Sequence, residues 1–134
     1  MEMVIDFPGG ARVNANFASF KVETDQPHSG GGEGSAPTPF ALFLASIGTC
    51  AGIYALGFCR QRGLSTEGLR IIQKTNTDPA SGMVNEVDLV IQLPGSFPEK
   101  YRAALINAVE LCAVKKHLKH PPNFQITTSE PLAA

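Results

Sequence analysis

At 134 residues, with 43% hydrophobic and 17% charged side chains, the chain has the composition of one globular domain. It is too short for two domains of ordinary size and too apolar to be disordered throughout. A formal net charge of −1 excludes the strongly basic surface on which a nucleic-acid partner depends.

Residues 3–25 read as antiparallel strands. Val4-Ile5-Asp6-Phe7 is followed by a Pro8-Gly9-Gly10 turn, then Val13, Ala15 and Phe17 alternate with Asn14 and Asn16. Phe20, Val22 and Thr24 continue the pattern with Lys21 and Glu23 between them. A period of two is that of strands with one face buried. Residues 26–38 change character: four of the five positions Gly30 to Gly34 are glycine, which holds neither a helix nor a regular strand, so a mobile loop is expected.

Pro39 to Arg62 reads as a helix, with Ser35 or Thr38 as cap, Pro39 in the first turn and Gly63 as its stop. No charged residue lies between Glu33 and Arg60, and the run is long enough to cross a bilayer, which takes roughly 20 residues. Gly48, Gly52 and Gly57, the polar Ser46 and Thr49, and an amphipathic helix further on argue instead for a buried central helix, with no membrane partner. An uncharged helix needs cover on nearly every side. One short chain has little to offer, so a second copy is expected to supply it, with Gly48 and Gly52 allowing close approach.

A hairpin is expected from strands 69–75 and 83–93, with Val87, Leu89, Ile91 and Leu93 on one face and Glu86, Asp88 and Gln92 on the other. A second helix is expected from Pro98 to about Leu118, capped by Ser96 and burying Tyr101, Leu105, Ala108, Val109 and Cys112. Pro121-Pro122 ends it, and Phe124 to Thr127 reads as a last strand. The fold class is therefore α+β, in a single domain over residues 1–134.

Three cysteines, with no Cys-x-x-Cys pair, suggest neither a disulfide scaffold nor a zinc ribbon. The chain opens without the cationic and apolar run of a secretory signal, so a cytoplasmic, reducing setting is expected. There, a cysteine with a task is redox-active or nucleophilic. Cys50 lies on the uncharged helix and Cys112 on the apolar stripe of the second. Both also suit cysteine's role as a small buried hydrophobe, and periodicity does not say whether the two sulfurs meet. Cys59 is nine residues after Cys50, on the opposite side of the helix and roughly 13 Å along its axis, too far for a disulfide between them. Cys112 with His117 and His120 fits no common zinc spacing, and His28 lies in the glycine loop; no metal or cofactor is expected.

The segment Ser35-Ala36-Pro37-Thr38-Pro39-Phe40-Ala41-Leu42-Phe43-Leu44-Ala45-Ser46-Ile47-Gly48-Thr49-Cys50 resembles the OsmC/Ohr family's proline, aliphatic run and small-small-Cys. Glu110-Leu111-Cys112-Ala113-Val114-Lys115-Lys116-His117-Leu118 resembles that family's second motif, of Cys-Pro-Val type. The order of elements agrees over nearly the whole chain. The resemblance implies an OsmC-like fold in an intertwined homodimer and a thiol-dependent peroxidase. Carried over, Cys50 attacks an organic hydroperoxide, Cys112 resolves the product into a disulfide, and a dithiol of the lipoyl type reduces it.

A thiolate is the nucleophile, and a free thiol has a pKa of about 8.5, so a cation is needed near Cys50. Arg12 fits the family's arginine, and Lys115 and Lys116 follow Cys112 by one helical turn. The family's acid just after the helix-opening proline is here Phe40-Ala41, neither able to orient an arginine, and Glu33 is the nearest substitute. That departure keeps a second reading open: a non-catalytic OsmC-like protein whose apolar dimer groove binds a small hydrophobic ligand, its cysteines serving as packing.

Overall fold

The computed structural model describes residues 1–130. The chain divides into two compact units, residues 1–49 and 50–134.

The first unit holds a three-stranded antiparallel sheet in the order β1-β2-β3, with β1 Val4–Gly9, β2 Arg12–Phe17 and β3 Phe20–Thr24. Gly9 and Gly10 take the positive φ angles that the first turn requires. Phe17 and Phe20 face each other across the second turn, rings 5.8 Å apart, over Ala18 at φ 50°. The strands fall where the alternation puts them, but the expected burial does not. Every residue of β1 is exposed, and in β2 the buried position is Asn14 rather than Val13, Ala15 or Phe17. A three-stranded sheet buries an apolar face only when something packs on it.

The glycine-rich segment is folded, in contrast to the mobile loop expected from its composition. His28–Gly30 forms a 3-10 turn, and the N–H groups of Gly30 and Gly32 both donate to the Pro27 carbonyl. At its centre is Asp25, 1% exposed. Its Oδ1 accepts from the Gln26 N–H at 2.7 Å; its Oδ2 accepts from the N–H groups of Glu33 and Ser35 and from the Ser35 hydroxyl at 2.5 Å. These donors, Ser35 first, hold the carboxyl down to about 2 from its usual 3.8. A Cβ on Gly32 would stand 2.6 Å from Asp25 Oδ1 and closer still to the Gln26 carbonyl, which is why this position has none.

Helix α1 spans Pro39–Gln61. Thr38 is its cap: Thr38 Oγ1 accepts from the Ala41 N–H at 3.1 Å. Ser35, the other candidate, is engaged by Asp25. At the far end the Leu64 N–H reaches the Cys59 carbonyl and the Gly63 N–H reaches that of Arg60, with Gly63 at φ 63°. This is the Schellman closure. The helix is long and apolar enough to cross a membrane. The single chain covers it on one side only, as expected of so short a chain. Within the second unit its buried positions are Ala51, Ala55, Phe58 and Cys59, a single stripe, while Ile53 and Tyr54 face outward.

In the second unit, β4 Arg70–Thr77 and β5 Val84–Gln92 pair antiparallel. The alternation of β5 is as predicted: Val87, Leu89 and Ile91 are half-buried, Glu86, Asp88 and Gln92 exposed. The turn is held by Asp78, which accepts from the Ser81 hydroxyl at 2.7 Å and the Ala80 N–H, lowering its pKa through those bonds. The core of this unit joins Ala51, Ala55, Phe58 and Cys59 to Phe97, Leu105 and Val109, with Leu89, Ile91 and Leu93 packed against it.

Two expectations fail after residue 98. The single helix to Leu118 is a 3-10 turn at Glu99–Tyr101, then α2 Arg102–Glu110 and α3 Ala113–Lys119, and Ser96 caps none of them. Residues Phe124 to Thr127 form no strand. Phe124 is 82% and Ile126 94% exposed, and a lone extended segment with no neighbouring edge has nowhere to place its ladder hydrogen bonds.

Candidate active site

The three cysteines are free and unequal. Cys50 is half-buried on α1, while Cys59 and Cys112 are fully enclosed. Their helical spacing accounts for the first contrast, since nine residues turn Cys59 to the side of α1 that carries the core stripe. Burial pushes the Cys59 thiol up, with the nearby Arg62 guanidinium offsetting part of the effect. A thiol kept protonated and out of solvent is a packing group.

Cys112 does not sit in mid-helix, where the apolar stripe placed it. It is the N-cap of α3, in extended conformation at φ −60° and ψ 148°, and its Sγ accepts from the Lys115 N–H at 3.5 Å. A sulfur in that position faces the unsatisfied N–H groups of a helix start. Lys115 thus contributes its backbone N–H. The stripe itself is real: Leu105, Val109 and Cys112 are all buried. The signal for the break was the likeness to a Cys-Pro-Val pattern, because proline after a cysteine belongs to a first helical turn.

Arg12 is exposed at the β1–β2 turn, its Nε donating to the Gly9 carbonyl at 3.2 Å. Glu33, the expected substitute for the missing acid, is exposed, and its backbone N–H serves Asp25. Among the described residues the ion pairs are Lys21–Glu23 and Arg102–Glu99, so Arg12 and Glu33 are not brought together within the first unit. Phe40, at the position of the family's acid, stacks on Phe43 with ring centroids 5.6 Å apart. His117 bonds the Ala113 carbonyl on its own helix, and no cluster among the described residues could hold a metal ion.

The second unit also carries an open groove of about 490 Å³ between α1 and α2. Ile53, Tyr54 and Gly57 line it from α1, on the same helical face as Cys50; Ala104, Ala108 and Leu111 line it from α2. Arg62 stands at one end, its guanidinium 3.6 Å over the Phe58 ring and Nη1 donating to the Phe58 carbonyl. Asp25 was not foreseen: a multiply bonded carboxylate is a tertiary property with no local signature.

A family model described as OsmC-like protein matches residues 32–127. No curated protein sequence matches the chain. Among solved structures, the chain resembles an osmotic stress and detoxification response protein of Psychrobacter arcticus, with a TM-score of 0.72 at 21% identity over 85% of each chain. It also resembles the organic hydroperoxide resistance protein OsmC of Legionella pneumophila, with a TM-score of 0.54 at 19% identity, over 89% of this chain and 90% of that one. A third likeness is to the organic hydroperoxide resistance protein OhrB of Bacillus subtilis, at 16% identity and TM-score 0.54, over 90% and 93% of the two chains.

Proposed function

Because the chain belongs to the OsmC-like family, we propose that it is a cytoplasmic thiol peroxidase that removes organic hydroperoxides in oxidative-stress defence. Residues 1–134 act as one OsmC-like domain, and two copies form the working homodimer. The observation that carries this reading is the accessibility of the thiols. Of the three, the one open to solvent is Cys50, at the place of the family's attacking cysteine, and a peroxide must reach the sulfur it oxidises.

In this reading the Cys50 thiolate attacks the terminal peroxide oxygen and the O–O bond breaks. The alcohol leaves with a proton, and Cys50 becomes a sulfenic acid. The Cys112 sulfur then attacks the Cys50 sulfur, an S–S bond forms and water departs. A dithiol, of the lipoyl type by family resemblance, reduces the disulfide by exchange and is itself oxidised to a disulfide. Arg12 is the cation that favours thiolate at Cys50, with neither Phe40 nor Ala41 to orient it. Cys59 takes no part.

Peroxide consumption by Cys50→Ser tests the proposal. Loss of turnover with cumene hydroperoxide and a dithiol, at unchanged thermal stability, is the expected result. Turnover equal to that of the unmodified protein would overturn it.

A further inference from the structure

We infer that the cationic face of α3 is a docking surface for an acidic protein segment, and that the dithiol reductant reaches this chain on such a protein. What the partner delivers rests on the peroxidase reading; the docking itself does not. Lys115, Lys116 and Lys119 place three of the chain's 11 lysines and arginines within five positions. On a helix these three fall within an arc of about 100°. No acid lies between Glu110 and Glu130, and among the described residues the ion pairs are made elsewhere, by Lys21 and Arg102. Lys116 and Lys119 are exposed, Lys115 is half-buried, and His117 and His120 are exposed beside them.

The helix itself is not served by this arrangement. Lys115 with Lys119, and Lys116 with Lys119, are like charges at i,i+4 and i,i+3, where they repel. Lys115 also stands in the first turn of α3, the end at which the helix dipole disfavours a cation. Local preferences set aside with no gain inside the fold mark a functional surface.

Charge selects the occupant. A two-fold contact between copies sets a patch against itself, which here would press lysine on lysine, so this face differs from the apolar ones that a second copy would cover. A formal net charge of −1 confines the attraction to a local acidic segment, because nucleic acid or an anionic membrane calls for a broadly basic surface. Position gives the docking its use. Cys112 caps α3, and Lys115 and Lys116 follow it by three and four residues, about 6 Å or less along the axis. An acidic segment seated on these lysines brings an attached dithiol to the end of the helix where Cys112 stands.

Fluorescence anisotropy with a labelled glutamate-rich peptide without cysteine, and with its glutamine counterpart, tests the docking. Saturable binding of the glutamate peptide alone is expected, weakening as salt rises from about 50 to 500 mM. Lys116→Gln combined with Lys119→Gln should weaken it about fivefold, the effect of two exposed charge pairs. The thermal midpoint of that double variant should stay level or rise, because a repulsion is removed. The same two peptides carrying a Cys-x-x-Cys dithiol then serve as reductants for cumene hydroperoxide turnover. The glutamate version should show the higher kcat/KM, and the double variant should lose that advantage while keeping its turnover with dithiothreitol. Equal affinity for the two peptides, or an unchanged affinity in the double variant, would overturn the inference. So would tighter binding to an oligonucleotide or to phosphatidylserine vesicles than to the glutamate peptide. No turnover of the unmodified protein with dithiothreitol would instead sink the peroxidase reading, and the docking surface would then stand or fall on the anisotropy.

Discussion

A carboxylate surrounded by hydrogen-bond donors is held in its charged form, and Asp25 accepts from three backbone N–H groups and one hydroxyl. Its folded pKa of about 2 lies below the ordinary 3.8. The stabilisation it provides is therefore complete above the ordinary value and is lost as the pH falls towards 2. Asp25→Asn should lower the urea midpoint at pH 6, with the gap from the unmodified protein narrowing at pH 2.5. A gap that stayed constant with pH would contradict the assignment. Ala18 is the opposite case, a side chain at φ 50° where glycine is at ease. Ala18→Gly should raise stability by a few tenths of a kcal/mol to about 1 kcal/mol, read as a higher thermal midpoint. Nothing in the residues around Asp25 announced its role, because its donors come from up to ten positions away.

Elements whose ends carry strong local chemistry were legible in advance. Helix α1 begins at a threonine with proline after it and ends at Gly63, and the structure uses all three. Replacing Gly63 by Ala forces a Cβ into φ 63° and should cost about 1–2 kcal/mol, seen as a lower urea midpoint with an unchanged slope. Strand β5 was legible for a different reason: its alternation matches a core supplied by its own unit. The break between α2 and α3 had no signal except the likeness to a Cys-Pro-Val motif, since neither proline nor glycine marks it and the apolar stripe runs through it to Cys112. The glycine loop misled in the reverse direction. Its composition signals freedom, but Gly32 is a glycine because Asp25 and the Gln26 carbonyl leave no room for a side chain.

At the scale of the molecule, the failures of expected burial have one feature in common. The apolar residues of β1, the outer face of α1, and Phe124 and Ile126 are all left open by a single chain. An isolated chain is costly in that state, which is the physical case for the proposed homodimer. Sedimentation equilibrium should find a dimer at micromolar concentration, and Phe124→Ser with Ile126→Ser should weaken it. A monomer over the same range would contradict the proposal. Partnership of this kind could not be read from the last strand itself, whose pattern is β-like whether or not an edge exists to receive it.

The central claim, a reacting pair formed by Cys50 and Cys112, is tested most directly by counting thiols. The reduced protein holds three. After one equivalent of cumene hydroperoxide, with no reductant present, two should disappear rapidly and peptide mapping should find Cys59 still free. Survival of all three would contradict the account, leaving an OsmC-like fold without the thiol chemistry.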